Sequence, residues 1–283
     1  GGLYSFYMVF PSLISRSKII TFMRGDELLE IRVKYKHPIP KIYQLVFKVG
    51  ILKSYRILSV NHDLVQKVMG RYGLPLERFK VIPNSIPLSV IAKESKELLK
   101  GPNLIIGFAG KFQKNKGVGT LLKALQELMR RGYYIEAYLV GKGPEEPRMT
   151  FFIEKNNMQS NVHLLPWEKS LDDFYDTIDL LISPSLYEGC PNVVLEAIAK
   201  DIPAIGSSVG GTKEILEYEE LLFKPNDFQS LVKKLEGILK DKNVLYQYQK
   251  LVRNRRQKFI ADWKEITTLA LSEFFTSSIS ALI

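Results

Sequence analysis

Two glutamates, Glu188 and Glu196, are the first candidates for chemistry in this sequence. Both lie in the stretch SPSLYEGCPNVVLEAIA (183–199), and Glu196 is surrounded by the apolar residues of its second half. A carboxylate inside an apolar helix is unfavourable unless a partner compensates its charge. Two interpretations are open: Glu196 binds a polar ligand, or it turns to solvent or meets a buried lysine.

Lysines and glycines follow apolar runs elsewhere in the same half of the chain. Lys111 and Lys116 lie in the loop GKFQKNKG (110–117), and Gly141 opens GKGPEEP (141–147). Lysines neutralise phosphate, and glycines let backbone N–H groups approach a ligand closely. Carboxylates repel phosphate, so the two glutamates should instead face hydroxyls. A ligand with both a diphosphate and several hydroxyls is a nucleotide sugar.

Strands and helices alternate along the chain and position these loops. Apolar runs predict strands over 18–25, 56–60, 79–83, 104–110, 135–141, 162–166, 180–185 and 203–208. Helical spacing predicts helices over 39–55, 62–73, 120–132, 146–156, 171–179, 192–200 and 212–218, and the last 45 residues are mostly helical. This alternation predicts an α/β fold with parallel sheets, whose ligands bind at the carboxyl ends of the strands.

Composition narrows the class of protein. The chain has 283 residues, 46% hydrophobic and 25% charged, which is typical of a folded globular protein. The single cysteine, Cys190, excludes an intrachain disulfide, and three scattered histidines form no metal cluster. No apolar run is long enough to span a membrane.

The formal net charge of +10 comes from the first third of the chain. Residues 1–100 hold 17 Lys and Arg against 7 Asp and Glu, and the remainder is balanced. Such an excess suggests an anionic partner, namely membrane phospholipid, a phosphorylated substrate or nucleic acid, or else a solubilising surface. No base-reading motif accompanies it, so we do not expect nucleic-acid binding.

The stretch SLYEGCPNVVLEAIAKDIPAIGSSVGGTKEIL (185–216) resembles the signature of family 4 glycosyltransferases, which have the GT-B fold and retain anomeric configuration. GKFQKNKG (110–117) and LVGKGPEE (139–146) resemble two glycine loops of that family. VIPNSI (81–86) and FMRGDE (22–27) resemble segments of its first domain. These motifs occur in the family's order, over most of the chain.

The resemblance implies a role for each candidate residue. Glu196 would bind the ribose hydroxyls of the donor, Glu188 the transferred sugar, and Lys111 with Lys116 the leaving diphosphate. The family usually needs no metal, so we expect no cofactor, and lysines supply the positive charge instead. The implied catalytic residues are Glu188, Lys116 and Lys111, and the implied donor-binding residues are Gly110, Gly141, Gly189, Cys190, Pro191, Asn192, Val193 and Glu196.

The chain also departs from the family pattern. Lys111, Ser85 and Arg24 stand where the family usually has Arg, Gly and His. Members carry a longer segment before the strand at 18–25, so the resemblance implies an N-terminally truncated first domain over 1–88. We expect a nucleotide-sugar-binding domain over 89–261 and a C-terminal helix over 262–283 that packs back on the first domain.

The predicted function is transfer of a sugar from a nucleotide diphosphate to an acceptor hydroxyl of a glycan or lipid-linked acceptor, in surface polysaccharide or glycolipid synthesis. The alternative is a non-catalytic nucleotide-sugar-binding subunit, and the truncation leaves open whether this chain alone is active. A nicotinamide-dependent oxidoreductase is disfavoured because GFAGKF (107–112) lacks the G-x-G-x-x-G spacing. We expect a cytoplasmic location, with peripheral contact to an anionic membrane through the basic first third.

Overall fold

The computed structural model describes residues 18–25, 39–101 and 103–279, and these form two compact units. Unit 1 contains the described residues up to Ser85, then Glu188–Cys190, then the chain from Ala261. Unit 2 contains Ile86–Tyr187 and Pro191–Ile260. The predicted domain boundaries differ mainly in one place: they put Glu188–Cys190 in the second domain, whereas the contacts of these residues put them in unit 1.

Unit 1 is built on a three-stranded parallel sheet. Its strands, in the order β1-β2-β3, are β1 (Ile20–Met23), β2 (Arg56–Ser59) and β3 (Phe79–Val81). Its first two helices are α1 (Ile39–Lys53) and α2 (His62–Tyr72). Asn61 begins α2, since its Oδ1 accepts a hydrogen bond from Leu64 N at 2.7 Å. Gly73 ends α2 in the left-handed conformation.

The two faces of this sheet are covered by different helices. Successive residues of a strand point to opposite faces, and β2 shows this with Ile57 and Leu58. Ile57 packs with apolar residues of α1 and α2, such as Phe47 and Leu64. Leu58 packs with Ala270 of the last helix, which spans Trp263–Ile279.

Unit 2 is built on a six-stranded parallel sheet with the order β6-β5-β4-β7-β8-β9. Its strands are β4 (Leu104–Ala109), β5 (Ile135–Val140), β6 (Val162–Leu165), β7 (Leu180–Ser183), β8 (Ala204–Ser207) and β9 (Leu222–Phe223). The helices between the strands are α3 (Val118–Arg130), α4 (Glu146–Lys155), α5 (Asp172–Thr177), α6 (Asn192–Ala199) and α7 (Gly210–Leu216). After β9 come α8 (Phe228–Lys240) and α9 (Asn243–Arg256), and the helix of unit 1 at Trp263–Ile279 is α10.

The predicted α/β class with parallel sheets is confirmed. Strand and helix bounds mostly fall within two or three residues of the prediction, because apolar periodicity marks an element better than its ends. β9 is not among the predicted strands, since two residues give no period. The residues 26–38, with part of the FMRGDE segment and the basic residues Arg32, Lys34 and Lys36, lie outside the described ranges.

The strand order of unit 2 creates a crevice. The chain proceeds from β4 outward through β5 and β6, and then returns to place β7 on the other side of β4. Ligands of open α/β sheets bind at such a reversal, outside the carboxyl ends of the two central strands. A ligand site is therefore expected at the loops that follow β4 and β7.

Candidate functional site

The loops that follow β4 and β7 are pressed together at Gly117. Gly117 has a φ of 67°, and a Cβ there would lie 1.9 Å from the carbonyl oxygen of Pro184. Close by, the backbone N–H of Leu186 donates to the carbonyl of Asn115 at 2.7 Å. Only glycine combines this left-handed backbone with such close contact. The turn that carries Lys116 is thereby fixed to the loop that leads towards Glu188.

The loop after β5 is fixed to the loop after β4 in a similar way. A Cβ on Gly141 would lie 2.0 Å from the carbonyl oxygen of Gly110. Phe112 N donates to Lys142 O at 3.0 Å, and Glu145 N donates to Phe112 O at 2.9 Å. The absence of a side chain at Gly141 lets its backbone approach the carbonyl oxygen of Gly110, and the role of both glycines towards a ligand stays a prediction.

Lysines are concentrated on these joined loops. Lys111 and Lys114 are exposed, Lys116 is half-buried, and Lys142 is exposed on the neighbouring loop. The backbone contacts of these loops bring the lysine Cα positions close together, although the side chains themselves remain exposed or half-buried. The arrangement favours an anion with more than one charged group, such as a diphosphate.

Glu196 is exposed, although the residues around it from Val194 to Ala199 are buried. Its neighbours in α6 on either side, Leu195 and Ala197, are at most 3% exposed. Its Oε2 accepts a hydrogen bond of 2.7 Å from the hydroxyl of Tyr175 in α5. Glu196 is exposed, as one alternative expected, but a buried tyrosine rather than a lysine holds one of its oxygens, and ligand binding by Glu196 stays a prediction.

Tyr175 is a residue that the sequence analysis missed. Its side chain is 2% exposed, and its hydroxyl also lies 3.3 Å from the carbonyl oxygen of Val193. Burial, and after it the negative charge of Glu196, raise the pKa of Tyr175 far above its ordinary value. The hydroxyl therefore stays protonated and remains a donor. No sequence signal singles it out, because a tyrosine in a short amphipathic helix is most often a core residue.

The tripeptide Glu188–Cys190 is held through its backbone by asparagines of unit 1. Asn61 Nδ2 donates to the carbonyls of Gly189 and, at 3.4 Å, of Glu188, while Asn84 Nδ2 donates to Cys190 O at 2.9 Å. Gly189 fits only as glycine, since a Cβ would lie 2.1 Å from the carbonyl oxygen of Arg24. Asn61 was also missed, although its position before a helical run is a recognisable N-cap signal.

The remaining predicted residues lie at the start of α6. Pro191 precedes the helix, and Asn192 and Val193 begin it. The first N–H groups of a helix have no partner within the helix, so this end favours negative charge.

Within the part of the chain that the structure describes, no group of three or more His, Cys, Asp and Glu side chains is arranged to hold a metal ion.

A protein-family model matches most of the second half of this chain and part of the first. The model described as "Glycosyl transferases group 1" matches residues 90–258, which is more than half of the sequence. The chain belongs to this family, and the broader prediction of a glycosyltransferase is thereby confirmed.

Two curated relatives from Staphylococcus aureus illustrate the family. Protein CapJ is 30% identical over 212 residues, covering 69% of this chain and 53% of CapJ. The capsular polysaccharide biosynthesis glycosyltransferase CapM is 24% identical over 254 residues, covering 81% of this chain and 64% of CapM. The chain thus spans about half to two thirds of the length of these relatives.

Solved structures confirm the predicted GT-B fold. HepE from Anabaena, solved in complex with UDP, has a TM-score of 0.80 and 18% identity, and the match covers 98% of this chain and 77% of HepE. At this level of identity the comparison establishes the fold alone.

Replacement of Gly117 by alanine should disrupt the junction of the β4 and β7 loops. The left-handed backbone alone should cost about 1–2 kcal/mol in the free energy of unfolding, and the contact with Pro184 forces the turn to shift. Urea unfolding measures this loss. Gly119→Ala is the matched control, because nothing lies within 4 Å of its Cβ position in α3, and it should be neutral or stabilising. Equal stability of the two variants would contradict the assigned junction.

Proposed function

We propose that this protein is a retaining, metal-independent glycosyltransferase of family 4 that uses a nucleotide-diphosphate sugar as donor. One observation carries the proposal: the lysine-bearing loop after β4 is fixed against the loop after β7 at the reversal of strand order, and the following helix presents the Glu196 carboxylate outward. A diphosphate and a ribose are the groups that such cations and such a carboxylate would bind.

Each residue then has a distinct part in the reaction. Glu196 accepts hydrogen bonds from the ribose hydroxyls, and Lys111 and Lys116 bind the diphosphate. The leaving diphosphate gathers negative charge in the transition state, so cations already in place lower the barrier. Glu188 binds hydroxyls of the transferred sugar. Backbone N–H groups from Gly189 to Val193 complete the donor site.

The names of similar proteins support the substrate class. CapM is named for capsular polysaccharide biosynthesis, and HepE was solved with UDP. We therefore propose UDP as the first nucleotide to test. The proposed acceptor is a hydroxyl of a glycan or a lipid-linked glycan in surface polysaccharide synthesis.

Calorimetric titration of the chain with UDP, GDP and ADP in EDTA tests the donor site. One of these nucleotides should bind without metal, and Glu196→Ala should weaken its binding by about 1–3 kcal/mol through the loss of charged hydrogen bonds. Glu154→Ala, at an exposed position of α4, is the control and should leave affinity unchanged. Absence of binding by a folded chain, or equal effects of the two variants, would count against the proposed site.

The diphosphate role of Lys116 predicts a dependence on the number of phosphates. Lys116→Met should lower affinity for the nucleoside diphosphate by about tenfold, as expected for one lost charged contact, and should lower affinity for the monophosphate less. Lys123→Met changes an exposed lysine of α3, outside the joined loops, and is the matched control. If both nucleotides lose affinity equally in Lys116→Met, Lys116 does not bind the terminal phosphate.

We also propose that unit 1 contacts an anionic membrane peripherally, on the cytoplasmic face. Among the described residues no helix is long and apolar enough to cross a bilayer. The support lies on α1, whose exposed positions combine large apolar and basic side chains. These are Ile42, Leu45 and Leu52 with Lys41, Lys48 and Lys53. A helix surface of this kind favours the interface of an anionic bilayer.

Vesicle flotation tests this contact. The chain should float with vesicles that contain phosphatidylglycerol and remain behind with pure phosphatidylcholine, and added salt should weaken the binding. Leu45→Ser should reduce flotation more than Leu76→Ser, since both leucines are similarly exposed, at 64% and 58%, but Leu76 lies outside α1. Flotation independent of lipid charge, or identical for both variants, would rule out this surface.

A further inference from the structure

We propose that Tyr175 is a positioning residue, whose buried hydroxyl holds the Glu196 carboxylate in the orientation that binds the ribose diol of the donor nucleotide. This inference rests on the proposed function, because it assigns how the donor-binding glutamate is prepared for its ligand.

The contacts of the Tyr175 hydroxyl define one position for the carboxylate. The hydroxyl donates to Glu196 Oε2 at 2.7 Å and lies 3.3 Å from Val193 O, one turn earlier on α6. Val193 O is part of the helix backbone, so the hydroxyl is located relative to α6 itself. One carboxylate oxygen is thus held by a buried hydroxyl, although Glu196 as a residue is exposed.

The ring that carries this hydroxyl is itself fixed. Lys96 Nζ donates to the backbone carbonyl of Tyr175 at 2.5 Å, and the neighbouring Phe174 ring packs against the tyrosine ring with centroids 5.2 Å apart. Lys200 Nζ lies 6.0 Å from the ring centroid and forms an ion pair of 2.6 Å with Asp172, in the first turn of α5. The hydroxyl therefore has little freedom to follow a moving carboxylate.

Fixing the carboxylate matters because Glu196 is exposed. A free glutamate side chain samples several rotamers, and ordering it upon binding costs conformational entropy. A carboxylate that is already held in place binds its ligand without that cost. The two hydroxyls of a ribose diol can both donate to one carboxylate only if that carboxylate faces them together. The orientation of the Glu196 carboxylate therefore decides how strongly the second hydroxyl contributes.

The test compares a ribonucleotide with its 2′-deoxy form. In the unaltered chain UDP should bind more tightly than 2′-deoxy-UDP, or GDP or ADP more tightly than its deoxy form if the first titration identifies that base. Tyr175→Phe keeps the ring and removes the hydroxyl, and it should reduce this preference by about threefold to tenfold, the usual effect of one hydrogen bond. Affinity for the deoxynucleotide should stay nearly constant, which a merely structural role of the hydroxyl would not produce.

Two further variants complete the experiment. Tyr248→Phe removes the hydroxyl of another buried tyrosine, in α9, and should leave the preference unchanged. In a Glu196→Ala background Tyr175→Phe should have no additional effect, because the two residues act through one contact. Additive effects, or an equal loss for both nucleotides in Tyr175→Phe, would overturn the proposal.

Failure of the inference is distinguishable from failure of the proposed function. If Glu196→Ala removes the preference for ribose and Tyr175→Phe does not, Glu196 binds the donor without help and only the inference fails. If the unaltered chain shows no preference, the proposed donor site fails. Should Tyr175→Phe not fold, Glu196→Asp withdraws the carboxylate from the hydroxyl by one methylene, and a fully retained preference in that variant would equally overturn the proposal.

Discussion

The pairing of β4 with β7 is the constraint on which the candidate site depends. It aligns Gly107 of β4 with Leu181 of β7 and so brings the loops after both strands to one place. Gly107 also lets α5 lie close to the sheet, because a Cβ there would be 2.5 Å from Ile178 and 2.8 Å from Phe174. The same strand pair thus locates the lysine loop and the helix that carries Tyr175, which together frame the proposed donor site.

The start of β7 is joined to the start of β4 by a buried carboxylate. Asp179 is 4% exposed, and its two oxygens accept hydrogen bonds from Leu99 N at 2.7 Å and Ile105 N at 2.9 Å. Hydrogen bonds to a charged acceptor are worth more than neutral ones, and leaving these N–H groups unpaired would be costly. The β4–β7 pair is therefore fixed at its amino end by Asp179 and at its carboxyl end by Gly117.

The sequence predicted the features of the fold and of the candidate site that depend on a local pattern of residues. Apolar runs predicted five of the six strands of unit 2, and a charge within an apolar helix marked Glu196 as exceptional. The sequence could not predict the side-chain contacts between residues that are distant along the chain. Tyr175 meets Glu196 only because two helices pack together, and Asn61 reaches the backbone of Glu188 across 127 positions of sequence. Neither partner lies at a spacing that any period of helix or strand would reveal.

The chain enters and leaves unit 2 at neighbouring points. Ile86 N donates to Phe259 O at 2.7 Å, and Ile86 forms a parallel bridge with Ile260. Unit 2 is consequently an insertion within unit 1. The helix α10, which covers one face of the sheet of unit 1, follows unit 2 in the sequence. During synthesis from the amino end, all of unit 2 is made before Ala270 can cover Leu58 and Ile82. The apolar face formed by β1, β2 and Ile82 therefore stays uncovered until the last helix has been made.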